Sequence, residues 1–152
     1  MICFTRVDNR LIHGQVVQGW LSKIKAEKIL VISKQAASNI LMSKMMRLAV
    51  PQGYELQITE ASKVKEILAL DKTKKIFLLV EDLAQLLEVI EQGINLEKVN
   101  IGNTKYEEGK KAFAEGVYFD KEDLALIHKM QSKNVTFGIR ALPSSLEEKI
   151  NV

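Results

Sequence analysis

The sequence predicts an α/β fold: a single domain over residues 1–152 with a largely parallel central sheet of about six or seven strands and helices on both faces. Three observations carry this. Apolar, β-branched runs alternate with stretches of helical period, the pattern of βαβ units. The segment Ile76-Phe77-Leu78-Leu79-Val80 is continuously apolar, which suits a strand covered on both faces. A chain of 152 residues, 47% of them hydrophobic, suffices for one well-buried core and is short for two.

Ile2 to Val7 reads as the first strand. Gln15 to Ile24 reads as a helix with Val16, Val17, Trp20, Leu21 and Ile24 on one side. Lys28 to Ile32 is the second strand, and Ser38 to about Leu48 a helix on which Ile40, Leu41, Met45 and Leu48 recur at helical spacing. Pro51-Gln52-Gly53 ends that unit. Tyr54 to Thr59 alternates as a third strand, and Ala61 to Leu70 supplies a helix through Val64, Ile67 and Leu68, with Lys72, Lys74 and Lys75 as its solvated exit. Ile76 to Val80 belongs near the sheet centre. Leu83 to Ile90 is the next helix, stopped at Gly93. Val99 to Gly102 is a short strand leading into a polar loop, Asn103 to Lys111. Gly116 to Phe119 reads as a short edge strand, and Asp120 as the N-cap of a helix with Asp123 at its third position. Val135 to Ile139 is the last clear strand.

Composition excludes several classes. No apolar run approaches the roughly 20 residues that span a bilayer, and the N-terminus lacks a basic stretch followed by a long apolar one. The expected location is therefore the cytoplasm. One cysteine precludes an internal disulfide framework, and two histidines without a cysteine cluster give no zinc pattern. No metal is expected. A net charge of +3 from 22 basic and 19 acidic residues is too slight and too evenly spread for a nucleic-acid surface. At most it favours an acidic partner.

Chemistry concentrates at Arg10-Leu11-Ile12-His13-Gly14-Gln15, between the first strand and the first helix. In an open parallel sheet, ligands collect beyond the carboxyl ends of the strands. The first N–H groups of a helix starting near Gln15 would point outward and could cradle a phosphate. Gly14 permits close approach or positive φ in the turn. Arg10 offers a planar fork to phosphate oxygens. Imidazole carries phosphoryl well near neutral pH, one nitrogen attacking while the other is oriented; Asp8 or a backbone carbonyl could orient it. A lone loop histidine is more often merely solvated, so His13 gains weight from its surroundings.

Those surroundings form a long motif. Arg6-Val7-Asp8-Asn9-Arg10-Leu11-Ile12-His13-Gly14-Gln15-Val16 resembles the signature R-[VI]-D-x-R-L-I-H-G-Q-V of the IIB subunits of the mannose/fructose/sorbose family of sugar phosphotransferase systems. Val99-Asn100-Ile101-Gly102-Asn103 is similar to the family's N-[VI]-G-[GN]. The resemblance implies a cytoplasmic phosphocarrier, associating peripherally with its transporter. Its histidine takes phosphoryl from a IIA subunit and passes it to a sugar entering through IIC/IID membrane subunits. It implies His13 as the phosphorylated residue, Arg10 as the phosphate-steadying arginine and Asp8 as the acidic residue that helps position that arginine or the imidazole. Gly14, Gln15 and Arg6 join them as support. Asn100, Gly102 and Asn103 are taken as a second loop of the same site, facing His13 across the rim. No metal or organic cofactor is implied, and a homodimer is left open. The segment Asn100 to Lys110 looks more like the N-acetylgalactosamine or galactosamine branch. Ser33-Lys34 departs from the Asn-Asp of many relatives, which changes the charge of the transfer face.

Two other readings are open: a phosphohistidine-type phosphatase, although those place arginine where this chain has Ile12, and an anion-binding module without turnover. Outside the motif the expectations are plain. Cys3 is expected to be a buried, inert thiol, His128 an exposed helix histidine, Met42, Met45, Met46 and Trp20 core filler, and Arg140 a surface ion-pair partner.

Overall fold

A computed structural model describes residues 1–150. Its main sheet has seven strands in the order β3-β2-β4-β1-β5-β8-β9: β1 (Ile2–Asp8), β2 (Lys28–Ile32), β3 (Glu55–Thr59), β4 (Ile76–Val80), β5 (Lys98–Asn103), β8 (Thr136–Ile139) and β9 (Glu148–Lys149). All neighbouring pairs are parallel except β8 and β9. The α/β architecture thus has the expected sheet, with β4 beside the central β1. Every residue of β2 and β4 is buried, as strands covered on both faces require. One core holds Leu30, Leu78, Leu86 and Ile101; on the opposite face, Ile29, Val31, Phe77 and Leu79 pack with Leu11, Val16 and Leu21.

The helices are α1 (Leu21–Ile24), α2 (Lys34–Ala37), α3 (Ile40–Ala49), α4 (Val64–Leu70), α5 (Leu83–Glu91) and α6 (Lys121–Gln131). Short polar side chains start several of them by accepting orphan N–H groups. Ser33 caps α2, Asn39 caps α3 and Asp82 caps α5. Asp120 and Asp123 form a reciprocal capping box on α6.

Four expectations are corrected. The first helix opens with a π-helical segment, Gln15–Trp20, before α1. The helix after β2 is split: Ser33 and Asn39 each find an N–H to cap, so α2 and α3 start separately. Residues 117–119 are not an edge of the main sheet. They form β7 (Val117–Phe119), antiparallel to β6 (Lys111–Ala114) in a separate hairpin, which also shortens the expected polar loop. Asn100, Gly102 and Asn103 lie within β5 rather than in a loop.

Candidate phosphoryl-transfer site

The site grows from the carboxyl end of β1. Because β1 is central, Thr5, Arg6, Val7 and Asp8 are all buried, so two opposite charges are carried into the interior together. Burial raises the cost of the charged Asp8 carboxylate, but hydrogen bonds from His13 and Arg10 and the charge of Arg6 outweigh it, holding the carboxyl far below the usual range. Burial lowers the Arg6 guanidinium, and Asp8 opposes that shift.

Asp8 is the hub. Its Oδ2 accepts from Arg6 Nη2 at 3.1 Å, Arg10 Nη2 at 2.9 Å and His13 Nε2 at 3.1 Å. Its Oδ1 accepts from the backbone N–H and the Nε of Arg10, both at 3.0 Å. Arg10 is therefore gripped in bidentate fashion, and its Nη2 also donates to Gln15 Oε1 at 3.1 Å. Its side chain stays 35% exposed, and that of His13 18%. The carboxylate is hidden while Arg10 and His13 reach the surface.

The loop that returns His13 to Asp8 turns at Leu11, whose N–H donates to the Asp8 carbonyl at 3.1 Å. Leu11 is left-handed, with φ +59°, and is buried. A branched aliphatic residue pays a steric cost there, offset by seating its side chain in the core. Gly14 was expected to permit either close approach or a positive φ. It has φ −53°, and open space where a Cβ would stand. Its effect is to leave the ground beside His13 uncovered.

Arg6 is wholly buried and does not reach the surface beside His13. Its Nη1 donates to Asn100 Oδ1 and, at 2.8 Å, to the Arg140 carbonyl; its Nη2 reaches the Ala141 carbonyl at 3.2 Å. Gly102 lies flat against it: a Cβ there would overlap the guanidinium. Asn100 and Gly102 thus join the site through Arg6, in register with β1, where Arg6 pairs with Asn100 and Asp8 with Asn103. Asn103 Nδ2 donates to Asn9 Oδ1 at 2.6 Å and ties the β1 exit to the neighbouring strand.

Residues outside the motif complete this shell. The Trp20 ring lies 5.2 Å from Arg6 Cζ in a cation–π contact, stacks on Phe4 at 4.8 Å, and its indole N–H donates to the Ala141 carbonyl at 2.9 Å. Trp20 was read as filler, and the carbonyls of Arg140 and Ala141 carry no side-chain signal at all. Arg140 pairs with no carboxylate among the described residues, contrary to expectation; its contribution is its carbonyl. Cys3 is an exposed residue rather than a buried one; its thiol alone is partly covered, against the Ile76 carbonyl, and that desolvation pushes it upward, away from reactivity. His128 is exposed on α6. Ser33 is fully buried and donates to Glu81 while capping α2, so this departure from the Asn-Asp pattern makes a latch between β2 and β4.

The arrangement presents an imidazole with one nitrogen engaged, an arginine fork fixed beside it and an uncovered approach. Comparisons with known proteins give the family. The family model described as "PTS system sorbose subfamily IIB component" matches residues 2–151. The chain is 32% identical over 151 residues to the N-acetylgalactosamine-specific phosphotransferase enzyme IIB component 1 of Escherichia coli K12, covering 98% of this chain and 96% of that protein. The crystal structure of the E. coli component superposes with a TM-score of 0.90, covering 99% of this chain and 100% of the other. The IIB domain of the Klebsiella pneumoniae sorbose permease, 23% identical, shares the fold with a TM-score of 0.93 over 98% of this chain and 93% of its own. The chain belongs to the sorbose-subfamily IIB components of the mannose/sorbose-type phosphotransferase systems, and is a phosphocarrier of that family.

Proposed function

We propose that His13 is the residue that carries the phosphoryl group, and that Nδ1 is the nitrogen that bears it. The observation supporting this is the 3.1 Å contact from His13 Nε2 to Asp8 Oδ2. A carboxylate held ionised accepts from an N–H, so Nε2 carries the proton and Nδ1 keeps its lone pair. That lone pair attacks the phosphorus of a phosphohistidine on the IIA subunit. The donor's P–N bond breaks and its electron pair returns to the donor imidazole. In the second transfer, a sugar hydroxyl oxygen attacks phosphorus, the P–Nδ1 bond breaks, and the hydroxyl proton leaves to solvent or a base. Asp8 stabilises the positive charge on the phosphorylated ring through Nε2–H, and Arg10 neutralises phosphoryl oxygens; such positioning and charge placement are most of what this transfer requires.

The first N–H groups after Gly14 add a cradle. Gln15 holds Arg10 in place, Arg6 supports Asp8 from below, and Asn100, Gly102 and Asn103 fix the strand behind them. The acceptor is a sugar of the N-acetylgalactosamine or galactosamine type, presented by IIC/IID membrane subunits. The E. coli relative's specificity and the Asn100 to Lys110 pattern support that choice. The protein works at the cytoplasmic side of the membrane; no described helix is long and apolar enough to cross one.

Incubation with radiolabelled phospho-IIA tests this. Wild type gains label that is acid-labile and base-stable, and nitrogen NMR places it on Nδ1. His13→Ala gains none, and Arg10→Ala is strongly impaired while remaining folded. Label retained in His13→Ala sinks the assignment.

A further inference from the structure

Of the residues expected as core filler, Met46 and the half-buried Met42 pack α3 onto the core, whereas Met45 faces outward with Ile40, Leu41 and Leu48. Trp20 is buried at 5% exposure, but its contacts are not those of filler. A tryptophan that only fills space needs some acceptor for its N–H. The acceptor here, the Ala141 carbonyl at 2.9 Å, also receives Arg6 Nη2 at 3.2 Å, and the ring itself lies 5.2 Å from Arg6 Cζ. Two local features make this meeting possible. At Gly19 a Cβ would stand 2.8 Å from Leu142 Cδ2, so its absence lets the helix approach the segment after β8. In the π-helical turn, the Leu21 N–H donates to the Val16 carbonyl five residues back. Residues five apart lie about 140° apart on an α-helix, whereas this wider turn brings them nearly into line. Gln15 thereby reaches Arg10 while Trp20 reaches Arg6.

Arg6 needs such a hold. An arginine beside a carboxylate tends to close on it with two parallel N–H bonds, as Arg10 does on Asp8. Arg6 touches Asp8 through Nη2 alone; Nη1 is taken by Asn100 and the Arg140 carbonyl, and Nε has no acceptor among the described residues. Asp8 Oδ2 already accepts from three donors, so its lone pairs are fully used. If Arg6 advanced to close its own fork, one of those bonds would give way. It would be that of the imidazole, because a guanidinium adds charge attraction that a neutral donor lacks. The carbonyls of Arg140 and Ala141 hold Arg6 back, and Trp20 fixes the second of them.

We infer that Trp20 is a positioning residue for phosphoryl transfer: through the Ala141 carbonyl and its own ring it keeps Arg6 from closing on Asp8, so that Oδ2 goes on holding the His13 Nε2–H. This rests on the phosphocarrier reading above. The test uses Trp20→Phe, which keeps a ring against Phe4 and loses the N–H. A radiolabelled phospho-IIA of the same family is one donor and potassium phosphoramidate a second. In the small-molecule reaction the P–N bond breaks, ammonia leaves with its electron pair and Nδ1 gains phosphoryl. The expected result is that kcat with phospho-IIA and the phosphoramidate rate both fall about tenfold or more, with KM for phospho-IIA unchanged. Nitrogen NMR is expected to show the unphosphorylated His13 ring divided between tautomers in the variant, where wild type keeps its proton on Nε2. A wild-type tautomer in the folded variant overturns the assignment, as does a raised KM with an unchanged phosphoramidate rate, which would place Trp20 in donor docking. Because Trp20 is the chain's one tryptophan, biosynthetic 5-fluorotryptophan labels it alone and leaves the N–H intact, so it decides the matter even if Trp20→Phe does not fold. The fluorine resonance is expected to shift when phosphoramidate loads His13, and to stay in place in His13→Ala treated alike. No shift on loading overturns the link from Trp20 to His13. Failure of wild-type His13 to load from either donor overturns the phosphocarrier reading itself.

Discussion

Two charge clusters sit at opposite ends of the sheet. At the amino end, Lys28 is buried at 2% exposure and pairs with Asp71 and, at 3.6 Å, with Glu55; Lys74 reaches Glu55 at 2.6 Å and Asp71 at 3.5 Å. At the carboxyl end, Asp8 is shared by Arg6, Arg10 and His13. The first cluster sets two cations against two anions and closes on itself. The second sets Arg6 and Arg10 against Asp8 alone, leaving one positive charge over before His13 is counted. The hydrogen bond from Lys28 lowers Asp71 and that from Lys74 lowers Glu55, while Glu55 raises Lys74: mutual saturation. A balanced cluster holds elements together. The surplus at the His13 loop is a standing attraction for an anion.

Asp8→Asn breaks that contrast most severely. It leaves the buried Arg6 guanidinium unpaired, which costs about 3–5 kcal/mol, and releases the imidazole from its fixed tautomer, which lowers loading about a hundredfold or more. Urea midpoints and initial rates of His13 phosphorylation measure the two effects. A pH signature goes with it. The folded carboxyl lies below its unfolded value near 4, so its stabilisation is complete above that value and drains away as pH falls below it. Wild type therefore loses stability on acidification below about pH 4, and Asp8→Asn loses less of what remains. Equal acid slopes would show that Asp8 is not the group being titrated.

How far the sequence reveals these clusters depends on what each residue type signals. The His13 loop is legible because histidine, arginine and aspartate are few and their spacing is long and particular. The strand holding Asp8 is legible from its apolar, β-branched surroundings. The inward aim of Arg6 is not: in a central strand both faces are covered, so alternation cannot tell which charge turns toward a partner. Leu11 carries the left-handed turn although nothing in a leucine announces positive φ, and the nearby glycine draws attention away. Backbone carbonyls at Arg140 and Ala141 are invisible to any residue pattern, and with them the role of Trp20. On α3 the apolar period is real, but a stripe of helical period says that a face is apolar without saying that the face is covered.

Gly102 and Gly14 sharpen the comparison within the charged end. Both are in the motif regions, yet a Cβ at Gly102 strikes the Arg6 guanidinium, whereas at Gly14 it meets nothing within 4 Å. Arg6 cannot yield cheaply because Asn100, two carbonyls and Asp8 hold it. Gly102→Ala is expected to lose about 1–3 kcal/mol and to slow loading through a displaced Asp8. Gly14→Ala stays within about 0.5 kcal/mol. Thermal unfolding of the pair reads the difference, and equal losses would mean that Arg6 is less firmly seated than its bonds indicate.

Lys28→Met gives a much smaller loss than Asp8→Asn and the cleanest separation of the two ends. The ammonium lies buried, but its acidic partners reach water: the Glu55 side chain is 49% exposed and that of Asp71 18%. Removing the cation therefore leaves carboxylates that solvent and Lys74 can stabilise, unlike the stranded Arg6 of Asp8→Asn. Methionine fills most of the vacated stem volume. The expected loss is about 1 kcal/mol, with His13 loading unchanged at any temperature where the fold persists. Because the clusters share no partner, the losses in the double variant with Asp8→Asn should add. If Lys28→Met slowed loading while folded, or coupled to Asp8→Asn, the balanced cluster would have to be transmitting something to the site, and the division between a holding end and a working end would fail.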